Sequence, residues 1–160
     1  MTALDGDLGW TLGVVFRAYV KAANAVVDDL PGGHRGYQVL TAATRDQPES
    51  QSALCQRLGI DRTVMTYLLD DLEKADLVAR RPDPTDRRTR HVVATKTGRT
   101  RLADLDRRFA RAEAHVLAGL GEGERKDLKA LLGRLATHVN SLDPVADTCT
   151  VVEDIAASAN

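Results

Sequence analysis

The 160-residue sequence predicts a mainly α-helical fold carrying one small β-hairpin. Three observations lead there. Apolar residues recur at steps of three and four through most of the chain, short β-branched runs interrupt that period between residues 77 and 95, and glycine, proline or aspartate punctuates the helical patterns. With 43% hydrophobic and 28% charged residues, the chain has the composition of a single domain with a real core.

Taken in order, the first helix follows from Leu12, Val15, Tyr19, Ala22 and Val26, which share one face to be buried, and "LPGG" at 30–33 stops it. A second, shorter helix runs from about His34 to Thr44, burying Tyr37, Leu40 and Ala43, and "RDQPES" ends it with a loop. Ser50 is the expected N-cap of a third helix, which Gly59 closes after Leu58 with a left-handed C-cap. Asp61 caps a fourth, 62–75, whose buried stripe is Met65, Leu68, Leu69 and Leu72. "LVARRP" and "RHVVAT" then read as two strands joined by a loop. Helical spacing returns from Thr97 with Leu102, Leu105, Phe109, Ala112 and Val116. Beyond "GLGEGE", a last helix carries Leu128, Leu131, Leu132, Leu135, Val139 and Leu142. The acidic tail after Pro144 reads as either a short helix or disordered chain.

Several function classes are excluded at this level. The longest apolar runs, such as "GVVF" and "LAGL", fall far below the roughly 18–20 residues that span a bilayer, and the acidic N-terminus is no targeting signal, so the expected location is the cytoplasm and no membrane partner is expected. Cys55 and Cys149 lie far apart with no C-x-x-C or His-rich context, and the four histidines are scattered, so neither a metal site nor a disulfide framework is expected. There is no nucleophile motif and no phosphate loop. The sequence is therefore read as a non-enzyme, with no catalytic residues and no cofactor.

The net charge of −1 conceals an asymmetry. Residues 57–101 hold 11 Lys and Arg against 7 Asp and Glu, a local charge of +4, and the remainder holds 11 against 16, or −5. A solvated charged face is the plain alternative to a surface that meets a polyanion, and the order of elements decides between them. Helix, tight glycine turn, helix and β-hairpin is the order of a winged helix-turn-helix, a DNA-binding arrangement. Opposite its buried stripe, the fourth helix presents Thr63, Thr66, Tyr67, Asp70 and Lys74 to a groove, with Arg62 in its first turn placed for a phosphate or a guanine edge. The threonines can hydrogen-bond or pack a methyl on thymine. In the hairpin, "RRPDPTDRRTR" crowds five arginines with two aspartates and two prolines. Pro82 and Pro84 stiffen it, so that the arginines project into a narrow minor groove, and Asp86 is expected to pair with Arg88 and direct its guanidinium.

The run "LGIDRTVMTYLLDDLEKADLVARRPDPTDRRTRHVVATKTGRTRL" resembles the MarR (multiple antibiotic resistance regulator) family of bacterial transcription factors. The resemblance rests on "LGIDR", on a "LxDxLE" helix end, and on a "GLVxRRPDPxDRR" motif in which Ala75-Asp76 replaces the usual residues before Leu77. A "xLTxxGR" motif is echoed as "VATKTGR", and the order of helices extends the likeness over about residues 8–142. It implies a homodimer on a roughly palindromic operator, with the fourth helix in the major groove and the wing in the adjacent minor groove. By position, Arg62, Thr63, Thr66 and Tyr67 match recognition-helix contacts, Asp86 and Arg88 match the wing's D-x-R, and Arg87 and Arg90 become backbone partners. Tyr67 stands where many members carry arginine.

The three long flanking helices need something to bury against, and a second subunit supplies it. The expected organisation is therefore an N-terminal dimerisation helix in 1–33, a DNA-binding domain in 34–96, C-terminal dimerisation helices in 97–143 and an acidic tail in 144–160. The expected regulator acts as a repressor released by a small-molecule effector. Trp10, Phe16, Arg17, Tyr19, His34 and Tyr37 are the candidates for lining the effector cleft, with Arg17 as an anchor for an anionic ligand. Plain core packing is the alternative for the aromatics. Thiol-based redox sensing through Cys55 or Cys149, a winged helix used only for protein contacts, and an enzyme are the competing functions.

Overall fold

In the computed structural model, described over residues 6–45, 47–86 and 88–142, the chain forms six helices and a small sheet among the described residues. Helices α1 (Leu8–Val26) and α2 (Gly33–Ala43) are followed by a two-residue strand β1 (Glu49–Ser50), then by α3 (Gln51–Leu58) and α4 (Arg62–Lys74). Strands β2 (Val78–Pro82) and β3 (Arg90–Ala94) form the hairpin, and α5 (Lys96–Val116) and α6 (Glu122–Leu142) complete the chain. The helix positions follow the apolar spacing, and the mainly helical fold class with its hairpin stands. The hairpin, however, is part of a three-stranded antiparallel sheet ordered β1-β3-β2, with Glu49 opposite Val92 and Val78 opposite Ala94. Two residues carry no period, which is why β1 is invisible to pattern reading.

The chain divides into two units, residues 24–108 and the segments 1–23 with 109–160. The core of the first is built from Val39, Leu40, Leu54, Met65, Leu69, Leu72, Val92 and Leu105, all almost wholly buried. Each large side chain removed from water in this way stabilises the unit by roughly 1.5–3 kcal/mol. Two backbone details lock the winged region together. The α4–β2 turn places Asp76 in the left-handed region at φ 56, where glycine is the usual residue. Its carboxylate accepts from the Thr97 hydroxyl at 2.8 Å and its carbonyl accepts from the Thr95 hydroxyl at 2.5 Å. At Gly98, a Cβ would lie 1.9 Å from the Leu77 carbonyl oxygen, so only glycine lets the start of α5 approach β2 this closely. Arg101 and Arg108 of α5 then bind Asp29, at 2.6 and 3.3 Å, and the guanidinium of Arg101 above all holds its carboxyl below the usual carboxylate range.

The apolar faces expected to bury against a second subunit are largely uncovered in the single chain. On α1, Leu12, Val15 and Tyr19 are exposed, whereas Val26 is buried. On α6, Leu131 is 58% and Leu135 52% exposed, beside exposed Leu132 and Val139. Of the α5 stripe only Leu105 is fully buried. Periodicity identifies an apolar face and says nothing about whether the same chain covers it.

Candidate nucleic-acid interface

The helix-turn-helix is set by its caps. Ser50 Oγ accepts from the Ala53 N–H at 3.1 Å, and Gly59 closes α3 in the left-handed conformation at φ 65. Asp61 then accepts from the N–H groups of Thr63 (2.8 Å) and Val64 (3.3 Å), starting α4 two residues after that turn. These backbone donors, Val64 first, hold the Asp61 carboxyl below its ordinary range. With Met65, Leu68, Leu69 and Leu72 buried as expected, the opposite face of α4 is fixed.

That face divides into two halves. Arg62, Thr63, Thr66 and Tyr67 are exposed at its N-terminal end, Tyr67 at 68%. Of the two residues further along this face, Asp70 is engaged within the protein, whereas Lys74 stays exposed. Lys74 pairs with Asp71 at 3.1 Å, while Asp70 binds the Arg80 guanidinium at 2.8 Å. Arg80, only 16% exposed in its side chain, also pairs with Glu73 and donates to the Thr66 carbonyl at 3.2 Å. Its own backbone N–H donates to Glu73 at 2.7 Å. One arginine of β2 therefore grips three successive turns of α4, at Thr66, Asp70 and Glu73, coupling wing to helix. In the sequence Arg80 is indistinguishable from the solvent-facing arginines beside it.

The wing loop is organised by its two aspartates as much as by its prolines. Pro82 ends β2 opposite Arg90. Asp83 Oδ1 accepts from the Thr85 N–H and hydroxyl, both at 2.6 Å, and from the Asp86 N–H at 3.1 Å, while Oδ2 meets His91 Nε2 at 3.0 Å. The Thr85 hydroxyl above all holds the Asp83 carboxyl low. Asp86 departs from expectation: it accepts from the backbone N–H of Arg88 at 2.9 Å and from the Thr89 hydroxyl at 2.9 Å, rather than from the Arg88 guanidinium. A carboxylate two residues before an N–H closes an Asx turn, and that local geometry wins over the longer reach to a flexible side chain. The aspartates thus answer for their presence in a cationic loop by shaping its backbone. Arg88 and Arg90 are exposed; Arg87 lies outside the described residues.

The two halves meet in one groove of about 420 Å³, lined from α4 by Arg62 and Thr66, from the wing by Arg88, Thr89 and Arg90, and from α3 and its cap by Ser50, Gln51, Ser52, Cys55 and Gln56. Four of the expected contact residues converge there; Thr63, Tyr67 and Asp86 lie outside it. The α3 polar residues were missed by sequence reading, although Gln51 Nε2 reaches Thr66 Oγ1 at 2.9 Å. A groove lined by three arginines together with glutamine, serine and threonine side chains suits a phosphodiester backbone and the base edges beside it.

The remaining candidates are less concentrated. Trp10, Phe16, Arg17 and Tyr19 lie on α1 within residues 1–23, and all but the half-buried Phe16 are exposed; His34 and Tyr37 lie half-buried on α2, within 24–108. Tyr37 donates its hydroxyl to Asp106 at 2.8 Å, and burial lowers the His34 pKa, favouring neutral imidazole. Burial pushes the Cys55 thiol up, with Arg62 opposing, so the thiol stays protonated at neutral pH. Cys149 and the acidic tail lie outside the described residues. Among the described residues no group of His, Cys, Asp or Glu could hold a metal ion, and no helix is long and apolar enough to cross a membrane.

Comparison with known proteins places this geometry. A model of the MarR family matches residues 37–89, from α2 to the wing. A Thauera aromatica protein named as a transcriptional regulatory protein for the hcr operon is 29% identical over 137 residues, covering 83% of this chain and 81% of that one. Among solved structures, CouR of Rhodococcus jostii bound to p-coumaroyl-CoA is 26% identical with a TM-score of 0.66, over 91% of this chain and 98% of that one. The repressor CouR bound to a 23-mer DNA duplex is 27% identical, TM-score 0.66, over 85% and 96%.

Proposed function

The chain belongs to the MarR family of transcriptional regulators, and on that premise we propose that it works in the cytoplasm as a homodimeric repressor that binds a palindromic operator and is released by a small-molecule effector. The observation that carries this reading is the convergence of Arg62 and Thr66 of α4 with Arg88 and Arg90 of the wing on a single groove. In the proposed complex, α4 enters the major groove with Arg62, Thr63, Thr66 and Tyr67, and the wing enters the neighbouring minor groove with Arg88. Arg87 and Arg90 neutralise phosphate, and Asp86 holds the loop that presents them.

Residues 34–96 form the DNA-binding part, with dimerisation assigned to 1–33 and 97–143. The exposed apolar faces of α1 and α6 support the second assignment, since patches of this kind mark association surfaces. A dimer places two recognition helices about one helical turn of DNA apart, ~34 Å. Ligand control follows if a bound effector favours a spacing that cannot span both half-sites. That CouR is found with DNA in one structure and with an acyl-CoA in another supports a regulator with both kinds of ligand.

The test is a gel shift of the purified protein with the DNA upstream of its own gene and with a scrambled duplex of equal length and composition. Retardation of the native duplex at concentrations that leave the scrambled one free is the expected result. Equal affinity for both would refute operator recognition. Tyr67→Ala should reduce the ratio between the two affinities more than it reduces binding to the scrambled duplex.

A further inference from the structure

Thr66 is held from three sides. Its hydroxyl donates to the Arg62 carbonyl one turn back at 2.9 Å and accepts from Gln51 Nε2 of α3 at 2.9 Å; its carbonyl accepts from Arg80 of β2 at 3.2 Å. A hydroxyl has one proton and two lone pairs. The proton is committed to Arg62, so Gln51 must be the donor in the second bond, which also fixes the orientation of its amide. Thr66 therefore cannot donate to a base edge. It is nevertheless exposed and lines the groove, so what it offers a ligand is its γ-methyl and one remaining lone pair.

We propose that Thr66 reads a thymine through its methyl group: its hydroxyl proton is turned away to the Arg62 carbonyl, and Gln51 is the positioning residue that holds the side chain in that orientation. The inference rests on the DNA-binding reading above and deepens it. In the major groove only thymine among the four bases presents a methyl, at C5, and apolar contact with it discriminates T from C as well as from the purines. Methyl packing needs a contact point that does not wander, because dispersion falls steeply with a gap of half an ångström. Anchors from α3, α4 and the wing converge on this one residue and supply that rigidity. Tyr67, next to it and 68% exposed, has no such constraint.

The experiment uses a duplex selected by the full-length protein from random-sequence DNA, with each thymine replaced in turn by deoxyuridine, which lacks only the C5 methyl. Affinities are read by fluorescence anisotropy. The parent protein should lose about fourfold at one thymine position per half-site, the factor expected for one buried methyl-sized group. Thr66→Val should preserve the thymine-to-uracil ratio at that position, Thr66→Ser should bring it to about one, and Gln51→Ala should narrow it because the side chain loses the anchor from α3 that keeps its methyl in place. The inference is overturned if no thymine position is sensitive to its methyl, or if serine keeps the ratio and valine abolishes it, which would assign the contact to the remaining lone pair. Should the parent protein select no duplex at all, the DNA-binding reading itself fails, an outcome distinct from selection without methyl sensitivity.

Discussion

Replacing Arg80 by methionine tests whether wing and recognition helix are one rigid body. Methionine keeps an apolar stem of similar length and removes the guanidinium, and with it the pairs to Asp70 and Glu73 and the bond to the Thr66 carbonyl. Sheltered charge-assisted hydrogen bonds contribute about 1.5–3 kcal/mol each, and exposed pairs about 0.2–1 kcal/mol. Because the Asp70 and Glu73 side chains keep 44% and 34% of their exposure, their pairs belong toward the lower range. We therefore expect a total of about 2 kcal/mol. For a chain of this size that corresponds to a fall in melting temperature of about 4–8 °C, read by circular dichroism at fixed protein concentration so that dimerisation does not confound it. In a Glu73→Gln background the same substitution should cost less, since part of its partner is already gone. Operator affinity should fall further than stability alone explains, because α4 and the wing lose their fixed spacing. A melting temperature within 1 °C of the parent would refute the coupling.

Three further outcomes follow from the same geometry. Arg88→Ala should leave the melting temperature unchanged and weaken operator binding by about 1–3 kcal/mol in an anisotropy titration; an unchanged dissociation constant would count against a wing contact. Leu131→Asp with Leu135→Asp should abolish the dimer and operator binding together in sedimentation and titration, since carboxylates on an interface face are costly to bury; a monomeric double variant with parental affinity would separate the two. The Asp61 cap and the Asp83 loop contacts have a defined pH dependence: both carboxyls are held below their ordinary value of 3.8, so their stabilisation is complete above that value and is lost as pH falls through the lower folded-state values. The deficit of Asp61→Ala relative to the parent should accordingly be constant near neutrality and shrink in acid unfolding below about pH 3.8; a deficit that grows there would contradict the cap assignment.

How much of this was legible in the sequence varies with the range of the cause. Caps are local, and Ser50, Gly59 and Asp61 sit where the residue types alone placed them. The buried stripe of α4 was equally plain, because a 3.6-residue period is a property of one helix. What stayed hidden depends on contacts between elements. Arg80 and Arg81 are neighbours of identical type, yet strand alternation sends one onto α4 and leaves the other exposed. Gln51 gave no signal because its importance lies in meeting Thr66 across the helix-turn-helix. Asp86 of the wing departs from its expected pair with Arg88 for the opposite reason: a shorter, local bond to the backbone was available. The faces of α1 and α6 were legible as apolar, and their exposure in the single chain accords with the expectation that a second subunit covers them.

Hydroxyl-radical footprinting of the full-length protein on its selected operator shows whether α4 and the wing of each subunit occupy adjacent grooves of one duplex. Two protected half-sites are predicted, with centres about 10–10.5 base pairs apart, each flanked by protection of the neighbouring minor groove that disappears in Arg88→Ala while the half-site protection remains. A single protected tract, or flanking protection indifferent to Arg88, would contradict the arrangement.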